Sequence, residues 1–160
     1  MASKGNEPMS RIPLISMFAV SILVGGCTDS PHTKQQVVAD VCRMPRDFWR
    51  RRNVGMLQLM HESGYPHAHA QITEVDIEAH LRANPDLVDD WIQESENGRS
   101  DSVWVLVDSA AVWNKRNQWT VFFMAPGGDA TDLRLFENRY SATAFFIKHY
   151  TDQMLTYRFP

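Results

Sequence analysis

The apolar residues of this chain change from helical to strand spacing between Asn97 and Ser102, and that change limits what it can fold into. Before it they recur at helical spacing; after it, as far as Glu137, they alternate or run together as strands do, and helical spacing returns from Ser141. Val37 to about Ser63 reads as helix, with Pro45 as a first-turn residue dividing a short piece from a longer one. Phe48, Trp49, Met56, Leu57 and Met60 make its apolar stripe, and Gly64 is the stop. Tyr65 to Gln71 reads as a loop holding Pro66. Thr73 is the N-cap of a second helix, with Asp76 at the capping-box position and Ile77 and Leu81 inward. Asn84 is the expected N-cap of a third, with Pro85 at its first position. Leu87, Val88, Trp91 and Ile92 share one face of it, Asp89, Asp90, Glu94 and Glu96 face water, and Asn97-Gly98 closes it.

Past the switch, Ser102 to Asp108 is apolar on both faces, as a covered central strand is. Gln118 to Ala125 is a second strand, and Pro126-Gly127-Gly128-Asp129 is a turn. Thr131 to Glu137 alternates, Leu133 and Leu135 against Asp132 and Arg134, and reads as a half-exposed strand that closes a hairpin. Ser141 to Leu155 is a final helix, with Ala142, Phe145, Phe146, His149 and Met154 toward the sheet. The expected class is α+β: N-terminal helices, a small three-stranded antiparallel sheet containing a hairpin, and a C-terminal helix packed on it.

The 160 residues suffice for one domain of this kind. Hydrophobic residues make up 44% and charged residues 22%, which argues against disorder. A net charge of −3 supplies no field that favours nucleic acid, and no nucleic-acid partner is expected. Two cysteines are too few for a disulfide scaffold or a cysteine-based zinc site.

Residues 1–26 read as an address rather than as fold. Lys4 and Arg11 precede an apolar run from Ile12 to Val24, too short to span a bilayer and suited to a signal-peptide core. The run ends in Val24-Gly25-Gly26-Cys27, which resembles the lipobox of bacterial lipoproteins. That resemblance implies removal of residues 1–26, acylation of Cys27, a lipidated tether over 27–36 and a single domain over 37–160. Acyl chains contribute about 0.8 kcal/mol per buried methylene, so several would hold the chain on a membrane. Thr at position 28, rather than Asp, resembles the enterobacterial pattern for the outer membrane. Cys42 is then the sole thiol of the mature chain, buried and inert or free.

Several clusters carry possible chemistry. His61, His67 and His69 fall close together and are weak candidates for a metal or small ligand. His61-Glu62 does not extend to a zinc-protease helix, because position 65 is Tyr. Arg50, Arg51 and Arg52, with Arg43 and Arg46, are basic, but successive helical residues point about 100° apart and make no single face. Glu74 to Asp101 holds nine acids against two arginines, a net −7 that can steer a basic partner. Asp89, Asp90 and Glu94 are its candidate binding residues. Trp113 stands in a polar connection beside Lys115 and Arg116, an aromatic among cations and a candidate anchor for a partner protein. Gly127-Gly128 lacks the residues of a phosphate loop, and no G-x-S-x-G motif occurs. Neither a catalytic set nor a cofactor is expected, and the chain reads as a non-enzyme.

Ile72-Thr73-Glu74-Val75-Asp76-Ile77, Leu81, Asn84-Pro85, Trp91, Ser95, Arg99 and Trp104 form one set of spaced residues. Trp119 to Phe122, the glycine turn, Leu135-Phe136, Ala142 and Ala144 to Ile147 form another. Together, over residues 65–155, they are similar to small α+β immunity proteins that neutralise secreted bacterial toxins. The resemblance implies action by binding, with a toxin as protein partner and the lipid anchor holding the chain in the envelope, facing the periplasm. The other expectations are an accessory envelope lipoprotein and a ligand-binding lipoprotein using the His61–His69 region.

Overall fold

The structure, a computed structural model, describes residues 32–97, 103–109, 118–125 and 127–156. The class is α+β, as the period switch predicts. Helices α1 (Lys34–Arg50), α2 (Met56–Glu62), α3 (Tyr65–Ala68), α4 (Glu74–Ala83) and α5 (Asp86–Asn97) come first. Strands β1 (Val103–Asp108), β2 (Trp119–Met124) and β3 (Ala130–Phe136) follow, then α6 (Arg139–Met154).

Helix α1 starts earlier than the tether reading allows, because the Thr33 hydroxyl accepts the Gln36 amide at 3.2 Å and caps it. Pro45 does not divide it. The ring is buried within the helix, where a proline removes one backbone hydrogen bond, and α1 runs on to Arg50. Its inward face is Val37, Val38, Val41, Cys42 and Met44, while Phe48 and Trp49, expected in the apolar stripe, are each 37% exposed and lie off the buried face. The break falls between Arg51 and Gly55. Tyr65 to Gln71 is helical rather than loop: α3 is followed by a short 3-10 turn over His69–Gln71. Gly64, at φ 77°, makes the left-handed stop after α2.

The capping box at Thr73 forms as expected. Asp76 Oδ2 accepts the Thr73 amide at 2.8 Å, and Thr73 Oγ1 accepts the Asp76 amide at 3.3 Å. Asn84 acts at the other end. Its side-chain amide donates to the His80 carbonyl at 2.9 Å, closing α4, and only its carbonyl serves α5, by accepting the Leu87 amide. Leu87, Val88 and Trp91 are buried. The Trp91 indole N–H donates to the Cys42 carbonyl at 2.9 Å, and its ring meets Phe146 and Tyr150 of α6 edge-on. Trp91 therefore ties α1, α5 and α6 together.

The sheet is antiparallel in the order β1-β2-β3, so β2 is the central strand and β1 an edge, contrary to the reading of Ser102–Asp108 as central. A run apolar on both faces marks coverage, and an edge strand covered from both sides shows the same pattern. Gly127 and Gly128, at φ 104° and 91°, make the hairpin turn, which bonds Ala125 to Gly128 and Asp129. Helix α6 covers one face: Trp104 and Phe136 pack on Phe145, and Trp104 lies against His149.

Candidate functional site

The two long sides of the sheet are finished differently. At β1, Ser95 of α5 closes the edge. The Leu106 amide donates to Ser95 Oγ at 2.7 Å, and that hydroxyl donates back to the Leu106 carbonyl at 3.2 Å. Both outward backbone groups of Leu106 are thereby satisfied, and Ser95 and Leu106 are buried.

This contact fixes the phase of the whole ladder. In an antiparallel sheet successive residues direct their N–H and C=O alternately to one side and the other. Leu106 points away from β2, so its partner Val121 points toward β3, where it is paired with Arg134. The N–H and C=O of Leu135 and the C=O of Leu133 therefore point away from β2, along the outer edge of β3. Among the described residues no strand or side chain meets them.

The side chains of that edge are exposed as well. Leu135 lies opposite Thr120, on the face away from α6, and alternation puts Leu133 beside it. They are 49% and 51% exposed, in chain order. Arg134 falls on the other face and makes no ion pair among the described residues. The strand is irregular just before them. A bulge sets Asp132 and Leu133 together opposite Phe122, with Asp132 at φ 51°, so regular pairing runs only from Arg134 to Phe136. The alternation of Thr131–Glu137 is visible in sequence, but the structure leaves both sides exposed from Ala130 to Leu135, with the leucines on the face away from α6. Phe136, next to them and packed on Phe145, is the one signal that the opposite face holds the core contact.

The acidic candidates are drawn into the fold. Arg46 of α1 donates to Asp90 and to Asp86, each at 2.8 Å. Arg139 donates to Asp89 at 3.1 Å and to the Pro85 carbonyl at 3.3 Å. Lys34 pairs with Asp76 at 2.7 Å. Burial works against ionisation of Asp76, but hydrogen bonds from Lys34 and Thr73 outweigh it and bring this carboxyl down to about 2. Glu94 is half-buried, has no ion-pair partner among the described residues, and is pushed upward by desolvation. The basic first helix and the acidic stretch thus neutralise each other in part, and Arg51 is spent on Glu62 at 2.6 Å.

His61, His67 and His69 are exposed on α2, α3 and the 3-10 turn. The three do not converge: no group of three histidine, cysteine or carboxylate side chains is arranged to hold a metal among the described residues. His69 Nδ1 lies 3.0 Å from the Pro66 carbonyl, and His67 lines a shallow cleft of about 310 Å³ with His32, Lys34 and Gln71. Cys42 is fully buried, and burial pushes its thiol up to about 12, so it stays protonated. Trp113, Lys115, Arg116 and Cys27 lie outside the described residues.

A further network holds α3 to α6. Tyr65 is buried and donates to Asp152 at 2.8 Å, while Lys148 donates to the same carboxylate at 2.6 and 2.8 Å and to the His69 carbonyl at 3.3 Å. Every group in it is matched, and it locks the helical layer together. No protein-family model, no curated protein and no solved structure matches this chain.

Proposed function

We propose that this chain is a lipid-anchored protein of the bacterial cell envelope, facing the periplasm, that acts by binding a protein partner. Its most concrete form is an immunity protein that neutralises a toxin delivered to the periplasm. The observation that carries the binding role is the outer edge of β3, where main-chain donors and acceptors and two leucine side chains face outward together. Such an edge is a template for another chain, and folds usually cover or charge it. The anchor rests on Val24-Gly25-Gly26-Cys27 and the apolar run before it.

The test is genetic. Cells lacking this protein are expected to die when a neighbouring toxin gene is intact and the toxin is delivered, and to live when that gene is also removed. Survival of the single deletion under delivery conditions would remove the immunity reading. Cys27→Ser is expected to abolish acylation and release the chain into the soluble periplasmic fraction; unchanged membrane fractionation would remove the anchor.

A further inference from the structure

Resting on that partner-binding reading, we infer that the partner is held by strand addition: an extended segment with an apolar–acidic–apolar alternation pairs with Leu133–Phe136 of β3. The backbone supplies the affinity. Leu135 presents its N–H and C=O, and Leu133 its C=O, along the outer edge, in the phase that Ser95 and Leu106 fix from the far side of the sheet. An added strand converts these three groups into ladder hydrogen bonds, and its alternate side chains give selectivity.

The side chains define that selectivity. Residues of the added strand opposite Leu133 and Leu135 fall on the face away from α6, where apolar groups cover the two exposed leucines. The residue between them falls opposite Arg134, an exposed cation without an ion-pair partner among the described residues, and a carboxylate there completes a cross-strand pair.

A second copy of this chain fits the edge poorly. The two-fold register that sets Leu133 against Leu135 centres on Arg134 and brings two guanidinium groups face to face, which is unfavourable in a cross-strand pair. Centring on Leu135 sets Leu133 against Glu137. Centring on Leu133 runs into the bulge at Asp132. The occupant is therefore a different chain carrying acid at the central position.

The experiment uses the isotopically labelled full-length chain and two acetylated peptides, Thr-Val-Glu-Val-Glu-Val-Thr and its lysine counterpart Thr-Val-Lys-Val-Lys-Val-Thr. The acidic peptide is expected to shift the amide resonances of Leu133 and Leu135 and to bind about fivefold more tightly than the lysine peptide. Arg134→Glu is expected to reverse that order. Leu135→Pro, which removes an outward N–H that β2 does not use, is expected to abolish binding. If Leu135→Pro does not fold, as circular dichroism would show, the reversal by Arg134→Glu still decides. Equal binding of the two peptides, or shifts centred elsewhere, overturns strand addition. So does a concentration-dependent dimer that Leu135→Pro dissociates, which gives the edge to a second copy. A chain carrying Arg134→Glu that still protects cells from the toxin, while its peptide preference has reversed, overturns this docking mode and leaves the immunity reading standing.

Discussion

The two edges of one small sheet obey the same physics and end differently. At β1 a single hydroxyl on α5 takes both outward backbone groups of Leu106, and the strand is buried on either side of that point. At β3 the corresponding groups of Leu133 and Leu135 meet no partner among the described residues, and the leucines are half exposed. An unpaired N–H or C=O is costly only where water cannot reach it. The sealed edge is therefore part of the core, and the open one is a surface that remains available. The two strand sequences already differ in kind, Val103–Asp108 apolar on both faces and Ala130–Phe136 broken by Asp132 and Arg134.

That contrast breaks most visibly through the anchor of the seal. Trp91 holds α5 against α1 and α6 through its bond to Cys42 and its contacts with Phe146 and Tyr150. Trp91→Ala is expected to cost about 3–5 kcal/mol, as buried large-to-small changes do. Urea unfolding measures it; a loss under about 1 kcal/mol would mean that α5 is held by something else.

Ser95→Ala attacks the seal itself. It leaves the buried N–H and C=O of Leu106 without their partner at a cost of about 1–3 kcal/mol. Hydrogen exchange reads the same contrast directly. In the unaltered protein the Leu106 amide is expected to exchange slowly and those of Leu133 and Leu135 fast, while Ser95→Ala speeds Leu106 alone among the three. Protection of Leu133 and Leu135 in the free protein would show that their edge is already covered.

A pH effect of intermediate size reports the covered face between the edges. His149 lies against Trp104 of β1 and Phe145 of α6, with Glu74 at 3.7 Å and with Asp152, Lys148 and Arg134 acting on it electrostatically. Burial lowers its pKa below the usual 6.5, with Lys148 and Arg134 adding to the decrease and Glu74 and Asp152 opposing it. The unfolded chain then takes up this proton first as pH falls. The contribution of His149 is complete above pH 6.5 and is lost as pH drops through the lowered value. His149→Phe is expected to flatten the slope of stability between pH 7 and pH 5, measured from urea midpoints. An unchanged slope would place the titration elsewhere, with His80, lowered by burial and by Arg43, the next group to replace.

What the sequence makes visible is what is encoded locally. The capping box at Thr73, the stop at Gly64, the glycine hairpin and the change of period after Asn97 all rest on neighbours within a few residues, and each forms. Strand order is not local. Nothing in Val103–Asp108 states that it pairs on one side only, and its coverage by α5 imitates a central strand. Ser95 does leave a trace, as a small polar residue one turn after Trp91 on the buried stripe of α5. The charge segregation is plain in the sequence, yet its resolution needs Arg46 and Arg139 to reach Asp86, Asp89 and Asp90 from 40 to 50 residues away. The candidate acids are visible as charges and hidden as pairs. The leucine edge is hidden for another reason: alternation states that a strand has two faces, and only packing says which one α6 covers.

The smallest effect is the one that separates the edges most sharply. Leu135→Ser removes a large apolar side chain from β3, as severe in composition as a core substitution. Its side chain is 51% exposed and its outward backbone groups serve no bond among the described residues, so little is lost on folding. A surface change of this kind is expected to alter stability by no more than about 0.5 kcal/mol. The same exposure is what partner binding requires, so the substitution is expected to weaken binding of the acidic peptide while the urea midpoint stays in place. A loss of about 2 kcal/mol or more would mean that Leu135 is packed against part of this chain, and the outer edge of β3 would then be structural like that of β1.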